Sequence, residues 1–208
     1  MEHQALIGFC SDSKISKMPD TYIRSFIAIA LDNKIKKQLA RVQTDLKKSG
    51  IIASWPHSSN FHLTLAFLGD IPEQNIIPIK QALVEVAEAS THFDMEFNCT
   101  GVFPHPKNAR VIWVGSNRAC PDICVLHQNI YSKLTQIGCK LKKQKKYTPH
   151  ITLARIKKKL SYKLISNTLD SGILGGPIKI PIHKIHLYKS TLSPTGAVHK
   201  PLFSAELT

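Results

Sequence analysis

Two five-residue segments of this chain nearly repeat one another, 88 positions apart. They are His62-Leu63-Thr64-Leu65-Ala66 and His150-Ile151-Thr152-Leu153-Ala154. Both lie in runs of apolar and β-branched residues, a pattern that predicts β-strands. Because side chains alternate between the two faces of a strand, each segment should present its histidine and its threonine on one face. A fold for this chain must therefore accommodate two equivalent strands, each with a polar face and an apolar backing.

Two facing copies of this pattern would form a site suited to proton transfer. Two imidazoles supply an acid and a base near neutral pH, and two hydroxyls supply hydrogen-bond donors. A single histidine of this kind is more often a structural residue bonded to a carbonyl. Duplication in matching apolar frames instead favours a paired site. His62 and His150 are therefore the candidate proton-transfer residues, with Thr64 and Thr152 beside them.

The order of predicted elements mixes strands and helices, with one motif strand in each half. Apolar residues at spacings of three and four after Asp32 predict a helix that Gly50 ends. Further helices are predicted over 72–89 and 122–137, and strands over 23–31, 51–54, 61–68, 93–102, 109–114, 147–154, 178–188 and 198–207. The sequence thus predicts an α+β fold with two similar lobes, whose antiparallel sheets face each other across a central cleft with helices outside.

Length and composition bound the domain organisation. The chain has 208 residues, of which 43% are hydrophobic, enough for a substantial core. Residues 1–21 contain no long apolar run and are expected to form a flexible N-terminal tail before a single bilobal domain over 22–208. No stretch is apolar enough to cross a bilayer. Five irregularly spaced cysteines favour a reducing, cytoplasmic location. We expect a monomer without a membrane partner.

The charge balance favours a polyanionic partner. Lys and Arg number 28 against 14 Asp and Glu, a formal net charge of +14, and nucleic acid is the first candidate for such a surface. Two basic segments, 140–146 and 157–159, flank the second motif. They are either solvated surface or contacts to phosphates. The charge alone also fits a non-catalytic RNA-binding module, whose histidines would only contact phosphate.

Metal and nucleophile chemistry find less support in the sequence. Among 10 histidines, none forms a cluster with zinc-like spacing, and neither motif contains a carboxylate. There is no Gly-x-Ser-x-Gly nucleophile elbow and no glycine-rich phosphate loop. We therefore expect no metal and no cofactor.

Five segments, taken together and in order, resemble one enzyme family. They are Arg24–Ile29; Trp55 ahead of His62–Gly69; Gly101–Pro104 ahead of Val111–Gly115; Pro149–Arg155; and Lys189–Gly196. The sequence resembles the two-histidine phosphoesterases, most closely the RNA 2′,3′-cyclic phosphodiesterases, also called 2′–5′ RNA ligases. The likeness covers most of residues 22–207.

The resemblance implies an activity and roles for named residues. The activity is metal-independent hydrolysis of RNA 2′,3′-cyclic phosphate ends, or of small cyclic nucleotides, to 2′-phosphates. Reversible 2′–5′ RNA ligation at the same site is a further activity that the resemblance leaves open. It implies His62 as proton donor and His150 as proton acceptor, with Thr64, Thr152 and Arg155 binding the phosphate. One departure is His199, since the family often has tyrosine in this closing segment.

Overall fold

The computed structural model describes residues 21–142, 146–170, 172–194 and 196–208. Except for its last residue, the tail predicted for 1–21 lies outside the described residues. Helices of the described part are α1 (Asn33–Lys48), α2 (Ile76–Glu88), α3 (Pro121–Gln136) and α4 (Tyr162–Asp170). Strands are β1 (Tyr22–Ala30), β2 (Ala53–Ser54), β3 (His62–Pro72), β4 (Phe93–Phe97), β5 (Cys99–Phe103), β6 (Val111–Gly115), β7 (His150–Ile156), β8 (Ile178–Ile182), β9 (Lys184–Ser193) and β10 (Gly196–Glu206).

Two four-stranded sheets form the framework. The first sheet has the order β10-β9-β1-β3 and the second has the order β2-β7-β6-β5. All strand pairs in both sheets are antiparallel. Each sheet contains one of the two motif strands, β3 or β7. The predicted α+β fold with two similar lobes is confirmed.

Two of the predicted strands are each divided into two. Residues 93–102 were predicted as one strand, but β4 pairs with β8 in a separate ribbon and β5 pairs with β6. The break falls at Asn98, whose backbone N–H donates to the Gly115 carbonyl at 2.9 Å. The strand predicted over 178–188 likewise divides at His183 into β8 and β9. A continuous strand-like segment in the sequence does not reveal that its two ends join different sheets.

Helix α1 illustrates how the local sequence forms these elements. The Asp32 side chain accepts a hydrogen bond from the Ile35 N–H at 2.7 Å and so caps the helix N-terminus. Its apolar positions are buried, as their spacing predicts: Ile35, Leu39, Val42 and Leu46. Beyond the helix, Gly50 adopts a φ of 80°, which favours glycine.

The helices cover the sheets in a crossed arrangement. Helix α1 follows β1 of the first sheet, yet it packs on β7 of the second. Helix α3 follows β6 of the second sheet and packs on β3 of the first, beside α2, which covers β9 and β10. The motif strands are therefore backed by helices from opposite halves of the chain. No helix in the described ranges is long and apolar enough to span a membrane.

Candidate active site

The two motif histidines are held by the same hydrogen bond in both copies. The Nδ1 of His62 lies 2.7 Å from the Asn60 carbonyl oxygen, and the Nδ1 of His150 lies 2.8 Å from that of Thr148. A carbonyl oxygen only accepts, so each Nδ1 carries the proton and donates it. The neutral rings consequently have a bare Nε2. Each Nε2 can accept a proton from a group in the cleft. Once it is protonated, it can also donate that proton.

A β-bulge interrupts both motif strands at the same motif position. On β3, Thr64 pairs with Ala28 and Ala66 pairs with Ile27, which leaves Leu65 without a partner. On β7, the equivalent residue Leu153 is also skipped in the pairing with β6. An extra residue in a strand reverses the alternation of side chains beyond it.

The bulges determine which residues share the face of the histidines. His62, Thr64 and Phe67 are at least partly exposed, whereas the intervening residues 63, 65 and 66 are buried. The burial pattern of His150, Thr152 and Arg155 on β7 is the same. Regular alternation would instead have turned Phe67 and Arg155 towards the core. The bulge therefore adds an aromatic ring to one motif face and a guanidinium to the other.

Side chains from elsewhere satisfy the backbone carbonyls beside these bulges. The Gln43 side-chain amide on α1 donates to the Leu153 carbonyl at 3.0 Å and also to the Pro56 carbonyl at 2.9 Å. The Tyr147 hydroxyl donates to the Thr64 carbonyl at 2.9 Å. Buried carbonyls left unpaired would cost free energy, so these bonds stabilise the irregular strands.

Each histidine also packs against an aromatic ring. The ring centroids of His62 and Phe26 are 4.8 Å apart, and those of His150 and Phe103 are 4.9 Å apart. Trp113 lies over the backbone at Gly101, where an added Cβ would be 2.2 Å from the indole. Glycine at position 101 therefore makes room for the aromatic layer under His150.

The polar faces of β3 and β7 meet at a small cavity of about 140 Å³. Its lining joins Thr64 and Phe67 from one motif strand to His150 from the other, and it is completed by Leu65, Phe103, Lys146, Tyr147 and Thr148. Phe67 is 61% exposed although it is a large apolar side chain. An exposed aromatic ring at the edge of a polar cavity suits a flat ligand such as a nucleobase.

Burial and neighbouring charges lower the pKa of both histidines. The pKa of His62 falls from 6.5 to about 4, chiefly because burial disfavours the charged ring, and the charges of His199, His150 and Arg155 lower it further. Burial and the charge of Arg155 also lower the pKa of His150. The hydrogen bonds to the backbone carbonyls oppose these effects in part. Both rings are therefore neutral in the free protein at pH 7.

Of the five residues singled out in the sequence, Thr64 and His150 line the small cavity, whereas His62, Thr152 and Arg155 are not among its lining residues. His62 and Thr64 lie on β3, and His150, Thr152 and Arg155 lie on β7. Sequence reasoning did not identify Phe26, Phe67, Phe103 or the position of His199, whose ring centroid is 5.3 Å from that of His62. Only Phe67 carried a local signal, because it occupies the same motif position as Arg155.

The histidines and cysteines of the described part of the chain form neither a metal-binding cluster nor a disulfide. The described residues contain no group of three or more His, Cys, Asp or Glu side chains placed to hold a metal ion. Four of the five cysteines are described, and these four are free: Cys99, Cys120, Cys124 and Cys139. The polar side chains that line the cavity are the imidazole of His150, the hydroxyls of Thr64, Tyr147 and Thr148, and the ammonium group of Lys146.

The chain is similar in sequence to known phosphoesterases. The family model of LigT-like phosphoesterases matches residues 29–113 and 119–199. An RNA 2′,3′-cyclic phosphodiesterase of Thermotoga maritima is 31% identical over 184 residues, covering 88% of this chain and 95% of that protein. A second, from Aquifex aeolicus, is 29% identical and covers 85% of this chain and 93% of that protein.

Solved structures share the fold. TT0787 of Thermus thermophilus aligns with a TM-score of 0.74 at 23% identity, covering 89% of this chain and 98% of that chain. Escherichia coli LigT in complex with 3′-AMP aligns with a TM-score of 0.71 at 20% identity, covering 90% and 99%. With the family model matched across both motif strands, this chain belongs to the LigT-like phosphoesterase family.

Proposed function

We propose that this protein hydrolyses RNA 2′,3′-cyclic phosphate ends to 2′-phosphates. The observation that carries the proposal is the pair of equivalently anchored imidazoles, His62 and His150, which lie close enough for the charge of His150 to lower the pKa of His62. Membership of a phosphoesterase family and relatives named RNA 2′,3′-cyclic phosphodiesterase support the same reaction.

The paired histidines match the two proton transfers that ring opening requires. A water oxygen attacks phosphorus in line with the departing 3′ oxygen, so the new P–O bond forms opposite the bond that breaks. His150 takes the proton of the water, and protonated His62 gives its Nε2 proton to the 3′ oxygen. The 2′ ester bond stays, which leaves a 2′-phosphate and a free 3′-hydroxyl. The family resemblance carries the assignment of donor and acceptor.

The lowered pKa values bear on how the donor acquires its proton. His62 is neutral in the free protein at pH 7, because its pKa is about 4. A cyclic phosphate diester brings one negative charge into the cleft, and an adjacent anion raises the pKa of an imidazole. We infer that substrate binding and protonation of His62 are coupled.

The remaining polar groups would stabilise charge on the phosphate. The equatorial oxygens become more negative in the transition state, and preorganised donors in a partly dry site lower that energy. The hydroxyls of Thr64 and Thr152 stand beside their histidines, and Arg155 adds a forked pair of N–H donors. These groups supply the stabilisation without a metal ion.

A mononucleotide assay tests the reaction directly. Adenosine 2′,3′-cyclic phosphate is incubated with the protein in excess EDTA, and the products are separated by chromatography against 2′-AMP and 3′-AMP standards. We expect 2′-AMP to accumulate at the same rate with and without EDTA. Binding without turnover would favour the RNA-binding module, and activity lost in EDTA and restored by a divalent ion would contradict the metal-free mechanism.

Removal of either motif hydroxyl should slow the reaction without unfolding the protein. Thr64→Val and Thr152→Val keep the side-chain shape but remove one donor to the phosphate, so each should lower kcat by about 10-fold or more. Steady-state kinetics of the two variants, with melting temperatures as the folding control, measure this. A wild-type kcat in a folded variant would assign that threonine to structure alone.

The RNA body is proposed to leave the cleft along a basic patch at the end of β7. The patch consists of Arg110, Lys157, Lys158 and Lys159, which are all exposed. The Ile156 N–H donates a hydrogen bond to the Arg110 carbonyl at 2.8 Å, which places Arg110 beside the end of β7. Lys157 is the next residue after Ile156. None of the ion pairs in the described ranges involves the patch. Its charges are therefore available to the phosphates of an RNA strand.

Charge reversal at the patch should affect long substrates only. Changing residues 157–159 from Lys to Glu should raise KM for a cyclic-phosphate oligonucleotide about 10-fold and flatten its salt dependence, because fewer counterions are released. KM for the mononucleotide should not change. The matched control, Lys34→Glu with Lys37→Glu and Arg41→Glu on the outer face of α1, changes net charge equally. Equal effects of the two triple variants would refute a localised RNA path.

We also propose ligation, monomeric assembly and a cytoplasmic location. In ligation, a 5′-hydroxyl takes the place of water and the same two histidines transfer the protons, which yields a 2′–5′ linkage. The four free cysteines of the described part support a reducing compartment. Incubation of cyclic-phosphate and 5′-hydroxyl oligonucleotides together tests ligation.

A further inference from the structure

His199 on β10 lies directly beside His62 in the cleft. The two ring centroids are 5.3 Å apart with the planes at 87°, an edge-to-face contact. Phe26 packs against both rings, with centroids 4.8 Å from each. The cleft side of the first sheet therefore contains two adjacent imidazoles on one aromatic floor.

A single residue fixes the two rings relative to one another. The Asn60 carbonyl accepts the Nδ1 proton of His62 at 2.7 Å, and the Asn60 side-chain amide donates to the Ala197 carbonyl at 2.7 Å. Ala197 is two residues from His199 on the same strand. The loop that anchors His62 is thus tied to the strand that carries His199, so the short distance between the rings is a built feature.

The surroundings of the pair disfavour two positive charges. His62 faces His150 and Arg155 from β7, and Tyr188 from β9 packs on the same Phe26 floor. No ion pair of the described residues brings a carboxylate to these groups. The Nδ1 of His199 is buried without a hydrogen-bond partner in the described residues, which further opposes a charged ring.

We propose that His62 and His199 together hold at most one proton in the free protein, which makes His199 a positioning residue that sets the pH range of His62. The proposal rests on the proposed function for its catalytic meaning. Like charges about 5 Å apart in a partly buried site repel strongly, so the pair titrates as a unit. Burial lowers the pKa of both rings, and the charge of His199 lowers that of His62 further.

The consequence for activity does not depend on which role His62 has. If His62 donates a proton, His199 withholds protonation until the pH is low or substrate is bound. If His62 accepts one, His199 keeps it neutral to lower pH. In both cases, loss of the His199 charge moves the limb of the pH profile that reports His62 to higher pH.

Imidazole NMR of the free protein tests the pairing independently of any turnover. The Cε1–H resonance of His62, identified by its loss in His62→Asn, is titrated in the wild type and in His199→Phe. We expect the pKa of His62 to rise by roughly one pH unit or more in the variant. His186→Phe is the matched control, since it removes an imidazole from the same sheet face that does not contact His62. An unchanged pKa, or an equal change in both variants, would overturn the proposal.

The His199→Phe variant should fold as the wild type does. Phenylalanine preserves the contact with Phe26 and removes a buried, unpartnered nitrogen, so His199→Phe should retain its melting temperature, with His199→Tyr as a second variant. The pH profile of kcat/KM is then measured for both, and its His62 limb should move with the NMR value. If the pKa of His62 rises in His199→Phe but the wild-type protein shows no turnover, the proposed function is refuted and the pairing stands. If the wild-type protein turns over substrate but the pKa of His62 does not rise in the variant, the pairing alone is refuted.

Discussion

Replacing either His62 or His150 with alanine should lower kcat/KM for a 2′,3′-cyclic phosphate by roughly 10²–10⁴-fold, the usual contribution of a positioned acid or base. Each ring is anchored through Nδ1, so alanine removes an imidazole that is positioned to transfer a proton through Nε2. Steady-state kinetics on the mononucleotide substrate measure the loss.

The two histidines should also behave as one unit. Because each transfer is needed in the same displacement, the double variant should be little worse than the poorer single variant. His183→Ala provides the control, since this exposed histidine lies between β8 and β9 and packs against His92. Near-full activity of a folded His62→Ala or His150→Ala protein would exclude the paired mechanism.

Replacing Arg155 should give the second-largest loss. Arg155→Ala removes a forked cation from the phosphate and should lower kcat/KM about 10²-fold. Arg155→Lys restores the charge without the fork and should recover only part of the activity. Arg118→Ala, which removes an exposed arginine paired with Glu96, should behave as wild type. Full activity of Arg155→Lys would mean that charge alone matters at this position.

The loss of Arg155 should also change the pH dependence. Its positive charge lowers the pKa of both His62 and His150. In Arg155→Ala both pKa values should therefore rise towards 6.5. An acid and a base together give a bell-shaped pH profile of kcat/KM, and this profile should move to higher pH. A smaller kcat/KM with an unmoved profile would place Arg155 away from the histidines.

The motif strands were predictable because strand periodicity is local. The alternation of apolar and polar residues from His62 to Leu65 is enough to place the histidine and threonine on one face. Arg155 is different, since it stands five positions after His150 and regular alternation turns it to the core. The bulge at Leu153 reverses that parity, and its carbonyl partner is Gln43, 110 residues away. The sequence near a bulge carries little record of so distant a support.

The surroundings of the histidines depended on sheet order, which periodicity does not contain. Phe26 reaches His62 because β1 lies next to β3, and His199 reaches it because β10 joins the same sheet through β9. The residues in these contacts are far apart in the sequence: His199 lies 137 positions after His62. The sequence showed a histidine at position 199 where the family often has tyrosine. The effect of this residue on the site became apparent only from its distance to His62.

The crossed helices have a consequence for how this protein folds. Each motif strand is backed by a helix from the other half of the chain, since α1 packs on β7 and α3 packs on β3. A fragment ending before α3 would leave the apolar back of β3 open to water. The hydrophobic core is therefore completed by contacts of large sequence separation, which slow folding. We expect one cooperative transition in which both motif strands lose hydrogen-exchange protection together, so the internal repeat does not correspond to two separable folding units.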